Sequence, residues 1–246
     1  MKRRILSLWP LPKFRGVKPE RRFVVVAQGR TGSTLLRDLL RSHEMIDCDG
    51  ELFLYWRWFP GQHVLRKMQA TVKPVYGFKL LTYQPEGVLG FSSLTPILDW
   101  LESNDFRIIY LRRDNVLRHA LSQLSARVNQ FSQRGEGHHE RRRLHIDRDT
   151  IFYWINLLNY RRMLDESIMK DRVFLDVRYE RDLEDSQNWH PLFLRIGQFL
   201  AVKPHLPNSE LKKVTPRRLD ELVENANELR EMLIGTEFEE YLDEQL

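Results

Sequence analysis

The stretch Val25-Val26-Ala27-Gln28-Gly29-Arg30-Thr31-Gly32-Ser33-Thr34 decides the reading of this chain. The apolar run Phe23–Ala27 (FVVVA) reads as a buried strand. Small and polar residues then turn the chain, and a helical pattern opens at Ser33 and runs to His43. It carries Leu35, Leu36, Leu39 and Leu40 on one face and Arg37, Asp38 and Arg41 on the other. A strand that passes through a small-residue loop into a helix aims backbone N–H groups and the positive helix end at one point, which makes an anion site. Small residues let a phosphate approach the backbone closely. Against the nucleotide-triphosphate loop G-x-x-x-x-G-K-[ST], Ala27 holds the first glycine position, Gly32 the second, Ser33 replaces the lysine and Thr34 fits the last. The missing lysine argues against ordinary ATP chemistry, and Arg30 puts a cation two residues before Gly32. A tight strand-to-helix turn that holds no ligand is the plain alternative.

Outward from this segment, Val75–Leu80 (VYGFKL), Arg107–Leu111 (RIIYL) and Arg172–Val177 (RVFLDV) read as further strands. Helical patterns run from Asn115 to about Val128 and over Ile151–Ile168, Pro191–Leu200 and Pro216–Leu233. Strands alternating with helices predict an α/β, P-loop-like three-layer fold, with a mostly parallel central sheet flanked by helices. The organisation predicted is a basic N-terminal arm over 1–22 and one domain over 23–246. Ser132–Asp149 (SQRGEGHHERRRLHIDRD) lacks apolar periodicity and reads as a long exposed loop or a polar helix start.

The 246 residues are 42 % hydrophobic and 30 % charged, with 6 Trp, 8 Tyr and 13 Phe, a composition that excludes general disorder. The net charge of +5 is unevenly spread. Residues 1–22 carry eight Lys or Arg against one Glu, and residues 220–246 carry ten Asp or Glu against one Arg. The body between them is therefore basic, as an anionic ligand, a nucleic acid or an acidic membrane would require. The arm reads as a terminus or as an attachment to an anionic membrane surface or a partner. No segment of basic residues reads as a recognition helix, so nucleic acid is not an expected partner. Cys48 is the single cysteine. It excludes an internal disulfide and a cysteine metal cluster and fits a cytoplasmic, reducing address, with peripheral membrane contact through the arm left open. No run approaches the roughly 20 apolar residues of a membrane helix.

A second strand end carries Ile108-Ile109-Tyr110-Leu111-Arg112-Arg113-Asp114-Asn115-Val116-Leu117-Arg118-His119-Ala120-Leu121-Ser122. With it, the sequence resembles the sulfotransferases that use 3′-phosphoadenosine 5′-phosphosulfate (PAPS). GRTGSTLLRDLL is similar to that family's first motif, [RK]-[ST]-G-[ST]-[ST]-x-[LM], which holds the donor's 5′-phosphosulfate. The second segment is similar to its 3′-phosphate motif, an Arg followed by a helix Ser. The usual spacing there is eight residues, whereas Arg113 and Ser122 are nine apart and Arg112 and Ser122 ten. Arg113 is the first choice and Arg112 the second. Val177-Arg178-Tyr179-Glu180-Arg181-Asp182-Leu183 resembles the family's Y-E-D-L strand end, where the Tyr lies near the adenine. The resemblance covers roughly 23–236 and leans to the bacterial trehalose and nodulation-factor type and to protein-tyrosine sulfotransferases.

The resemblance implies donor-binding roles for Arg30, Thr31, Gly32, Ser33 and Thr34 at the 5′ end, for Arg113 or Arg112 with Ser122 at the 3′-phosphate, and for Tyr179. It implies no metal, because PAPS already carries an activated sulfate. Transfer of the sulfuryl group to an acceptor hydroxyl needs a base. Glu51, in Cys48-Asp49-Gly50-Glu51-Leu52-Phe53, is the candidate, with Asp49 its competitor, and the apolar run Leu52–Phe59 beside Glu51 suits a base that needs burial. Lys79, near the second predicted strand's end, is an auxiliary charge stabiliser. Cytosolic relatives carry a His two residues later, where this chain has Leu81. His139, Glu140 and His145 do not make H-E-x-x-H, because position 143 is Arg. Lys212 and Lys213 lie where relatives place a C-terminal donor loop. The acceptor expected is a small molecule or glycan, first a carbohydrate or glycolipid hydroxyl, with tyrosine or a small alcohol open. A P-loop kinase for a small metabolite and a non-catalytic nucleotide-binding module are the competing readings.

Overall fold

Val24 and Val26 are fully buried on one side of their strand, and Phe23, Val25 and Ala27 on the other. A strand without a polar face needs cover on both sides, and this one receives it. The computed structural model describes residues 19–129, 142–211 and 218–243. Five strands, β1 (Arg21–Ala27), β2 (Ile46–Glu51), β3 (Val75–Leu81), β4 (Phe106–Arg112) and β5 (Phe174–Arg178), form one sheet in the order β2-β3-β1-β4-β5. Every pairing is parallel. The helices are α1 (Ser33–Arg41), α2 (Pro60–Gln69), α3 (Gln84–Gly87), α4 (Thr95–Ser103), α5 (Val116–Asn129), α6 (Arg148–Met169), α7 (Trp189–Leu200), α8 (Leu219–Leu222), α9 (Ala226–Leu233) and α10 (Glu240–Asp243).

The described residues pack as two compact units. The first holds the chain up to Arg112 together with Asp165–Leu211, and so the whole sheet. Val24, Val26, Phe78, Leu80 and Ile108 face α2 and α4, whose Val64, Leu65, Met68, Ile97, Leu98 and Leu101 close one core. Phe23, Val25, Ile109 and Val177 face α1 and α7, whose Leu36, Leu39, Leu40, Phe193 and Ile196 close the other. This is the three-layer α/β fold that the alternation of strands and helices predicts. The chain builds β2 and β3 on one side of β1, then β4 and β5 on the other. Ligands of such sheets bind outside the carboxyl ends of the strands, where the order reverses. Here that point is the end of β1.

The second unit is formed by the described residues of Arg113–Leu164 and those after 217. Its core joins Leu117, Ala120 and Leu121 of α5 to Ile151, Trp154, Ile155 and Leu158 of α6 and to Leu219, Leu222, Leu229 and Leu233. Asn225 holds both backbone groups of Ile146, accepting from its N–H at 2.9 Å and donating to its carbonyl at 2.8 Å.

Several readings change. The sequence pattern misses β2, because Ile46–Glu51 (IDCDGE) is an edge strand with only Ile46 and Cys48 buried. The single helix expected over Pro216–Leu233 is two, parted at Val223, which bridges to Leu144. Leu144 and Ile146 are buried core residues, so that end of the expected 132–149 loop is anchored. The rest of that loop with His139 and Glu140, the arm up to residue 18, and Lys212 and Lys213 lie outside the described residues.

Candidate functional site

The loop after β1 is tied down at both ends. Thr82 N–H donates to the Ala27 carbonyl at 3.0 Å, which joins the exit of β1 to the exit of β3. Gln28 Nε2 donates to Asp165 Oδ2 at 2.9 Å, and Thr31 Oγ1 donates back to the Gln28 carbonyl at 2.8 Å. Arg30 and Gly32 both take left-handed backbone, with φ of 67° and 87°. For Arg30 that conformation costs about 1–2 kcal/mol, a strain the anchored loop sustains. At Gly32 a Cβ would lie 2.5 Å from Tyr179 Cδ2, so only glycine admits the ring that packs on the loop. Tyr179 opens a wide turn, Tyr179–Leu183, at the end of β5.

Gly32 is also the N-cap of α1, and it offers no side chain to the first turn, which holds no acid. The first intrahelical bond runs from Leu36 N–H to the Gly32 carbonyl at 3.0 Å. The N–H groups of Ser33, Thr34 and Leu35 precede it, the arrangement that binds an anion. Burial pushes the Arg30 guanidinium below its ordinary pKa. An anion beside it would favour the charged form.

A second cation reaches this loop from the neighbouring strand. Lys79 Nζ donates to Thr34 Oγ1 at 3.2 Å and lies 3.5 Å from Glu51 Oε1. Lys79 therefore brings an ammonium to the loop whose own lysine position is Ser33. The Lys79 side chain is 6 % exposed and that of Glu51 23 %. Burial lowers the pKa of Lys79, and Glu51 opposes that shift. The meeting of these two residues depends on a bulge: β2 pairs Asp49 with Phe78 and then Glu51 with Lys79, so Gly50 is the extra residue. In an unbroken ladder Glu51 would fall opposite Leu80, on the other face. Gln84 fixes the other carboxylate oxygen. It is fully buried, accepts from Leu81 N–H at 3.0 Å and donates to Glu51 Oε2 at 3.1 Å. Asp49, the competing carboxylate, instead accepts from Tyr76 Oη at 3.0 Å.

The two arginines at the end of β4 differ. Arg112 is held by carboxylates, with Nη1 2.8 Å from Glu166 Oε1 and Nε 3.0 Å from Asp176 Oδ1. Burial works against its charge, but the two acids outweigh it and raise the pKa. Arg113 begins the second unit and is buried. In that unit Asn115 caps α5, its Oδ1 accepting from Arg118 N–H at 2.8 Å. Arg118 and Ser122 are four apart on α5 and both buried, so they share one helix face.

The structure thus brings Arg30, Thr31, Gly32, Ser33, Thr34, Lys79, Glu51 and Tyr179 together in the first unit. Arg113 and Ser122 belong to the second, and Arg112 closes the first within an ion-pair group. Gln84 and the Gly50 bulge escape a sequence reading. Gln84 follows β3 in an unremarkable Tyr-Gln-Pro run, and the signal for the bulge, an isolated glycine at 50, can be read only once Ile46–Glu51 is known to be a strand. No protein-family model matches the chain, and a search of curated proteins finds no similar sequence at its significance threshold. Among the described residues, no helix is long and apolar enough to cross a membrane.

Proposed function

We propose that this chain is a PAPS-dependent sulfotransferase that moves a sulfuryl group to an acceptor hydroxyl, most readily one on a carbohydrate or glycolipid. The observation that carries the reading is the line of contacts from Thr34 through Lys79 to Glu51, 3.2 Å and 3.5 Å long, at the anion-binding end of α1. A reaction that attacks an activated anion needs a cradle for the anion, a cation at the reacting group and a base for the nucleophile. All three residue types meet here. The N–H groups of Thr31–Thr34 and Arg30 bind the 5′-phosphosulfate. Glu51 takes the acceptor proton as the new O–S bond forms, the bridging S–O bond breaks and the donor leaves as 3′-phosphoadenosine 5′-phosphate (PAP). Lys79 neutralises charge on the group in transfer. The resemblance assigns Arg113 and Ser122 to the 3′-phosphate and places Tyr179 near the adenine. Arg112, the second choice, is already held by the two carboxylates Glu166 and Asp176.

A small-metabolite kinase is the second reading, and one observation favours it: Lys79 supplies the loop cation that Ser33 does not. Calorimetric titration with PAP beside ATP, followed by labelled-sulfate transfer from PAPS into a cell extract, separates the two. The sulfotransferase binds PAP well above ATP and labels an acceptor. Magnesium-dependent ATP turnover without PAP binding would establish the kinase, and PAP binding without transfer a binding module.

A further inference from the structure

From Leu52 to Pro85 the chain has no Asp or Glu, while it carries Arg57, Arg66, Lys67, Lys73 and Lys79. Within this acid-free stretch lies a ridge of large apolar side chains. Leu54, Tyr55, Trp56, Trp58 and Phe59 are 58, 73, 39, 76 and 45 % exposed. Single exposed hydrophobics are ordinary, but five within six consecutive residues are not. The ridge has no regular secondary structure, yet it is pinned at both ends. Leu52 and Phe53 enter the core with Val64, Leu65 and Met68, and Pro60 starts α2. The Trp56 and Trp58 rings meet edge to face at 4.3 Å. Arg66 and Lys67 are exposed on the helix that follows. With Arg57 they act on one spot, since His63 is lowered first by burial and then by these three cations, with Asp49 of β2 a smaller opposing charge.

We propose that Leu54–Phe59 is a docking ridge for an anionic lipid bilayer, its rings entering the interface while Arg57, Arg66 and Lys67 meet the headgroups. Trp and Tyr favour the headgroup level, Leu and Phe the acyl boundary just beneath, and nearby cations draw the surface in. The absence of acids across the whole stretch supplies the charge complementarity. A glycan platform fits less well, because the Trp rings meet edge to face at an interplanar angle of 76° and present no flat stacked pair to a sugar ring, and the ridge carries no carboxylate or amide to read hydroxyls bidentately. The docking holds whether or not Glu51 takes a proton. If it does, as proposed above, Glu51 stands three residues from the ridge, within about 11 Å of extended chain, and its acceptor hydroxyl is borne on a lipid surface.

The test uses the full chain and measures no transfer. The wild type should cosediment with phosphatidylserine–phosphatidylcholine vesicles, not with phosphatidylcholine alone, and release as salt rises. Brominated lipid should quench its tryptophan emission. Trp56→Ser/Trp58→Ser should bind at least about ten-fold more weakly and lose the lipid quenching, with an unchanged melting curve. Trp58→Ser alone serves should the double variant misfold. Val173→Ser, at another exposed site, should bind as the wild type does, and Trp9→Phe in the arm should keep the quenching. Failure of the wild type to bind either vesicle would overturn the proposal. So would wild-type binding and quenching in the folded ridge variants, which would assign the membrane contact elsewhere. A soluble oligosaccharide that shifts the tryptophan emission where vesicles do not would overturn it too, in favour of glycan stacking.

Discussion

Two charged clusters stand on the first unit, one at the carboxyl ends of β2 and β3 and one at those of β4 and β5. They are built from the same kinds of residue to opposite effect. On the β4–β5 side, Arg112 pairs with Glu166 and Asp176, Arg178 with Asp176, and Arg181 and Arg195 with Asp182. Buried Asp182 accepts from Arg178 N–H, Arg181 and Arg195 at 2.7–2.8 Å. Each carboxylate there is answered by a planar, multi-donor guanidinium, so the cluster is a brace. On the β2–β3 side a single ammonium meets a single carboxylate at 3.5 Å and also touches a loop hydroxyl. Lysine is a compact point charge with a tunable pKa, and Glu51 keeps partial access to solvent. The first cluster's charge is taken up in bracing the fold; the second is the one to which the proposed function gives a ligand.

The sharpest way to break this contrast is to neutralise each carboxylate in turn. Glu51→Gln keeps the shape and the Gln84 contact but removes the base. Transfer should fall by about 10²–10⁴-fold while PAP binding holds and the melting temperature drops by less than in Asp182→Ala, since buried Lys79 loses its counter-ion but can shed its proton, as read by labelled-sulfate assay, calorimetry and thermal unfolding. A Glu51→Gln enzyme as fast as the wild type would end the base assignment.

Asp182→Ala should do the reverse. Removing it leaves four donor groups on three residues without their acceptor and should destabilise by about 3 kcal/mol, the low end for a broken buried pair because Arg181 and Arg195 are partly exposed. Urea unfolding measures this directly. The pH dependence follows the same residue. Burial alone would raise the Asp182 pKa, but the Arg181 hydrogen bond, the Arg178 N–H and the Arg195 charge hold it below the ordinary 3.8. Its stabilisation is therefore complete above 3.8 and is lost as the pH falls through the depressed folded value. The variant should lack this acid-limb loss. An unfolding midpoint equal to the wild type's would remove Asp182 from the brace.

What was legible beforehand divides along the same line. The strand–loop–helix of 23–41 and the alternation of apolar strands with helices could be read because each buries a periodic face, and both appear in the sheet. Glu51 could be named as a carboxylate beyond the first helix, but not placed. Its strand is a polar edge strand, and its aim depends on the Gly50 bulge, which hydrophobic period does not encode. Gln84 was invisible because one buried amide carries no pattern. The brace was partly hidden in the Arg-rich Val177–Leu183 segment, read for its tyrosine and not for its ion pairs. Arg112 and Arg113 are adjacent in sequence, and the long-range pairing of Arg112 with Glu166 and Asp176 has no local pattern to announce it.

The smallest expected effect tests whether the second cluster is confined to Glu51. Asp49 is two residues away on the same strand and is the alternative base by sequence. Its Oδ2 is engaged by Tyr76 Oη, and burial, followed by Asp49 itself, pushes that phenol's pKa up, so the phenol stays the donor. An amide accepts the same hydrogen bond. Asp49→Asn should therefore cost about 1 kcal/mol or less, roughly 2–4 °C in melting temperature for a chain this long, and leave transfer within about three-fold of wild type. If the rate instead falls as far as in Glu51→Gln, the proton goes to Asp49. Glu51 would then be a counter-ion to Lys79, and the contrast would shift by two residues along β2 without disappearing, since Asp49 also faces a hydrogen-bond partner that carries no charge.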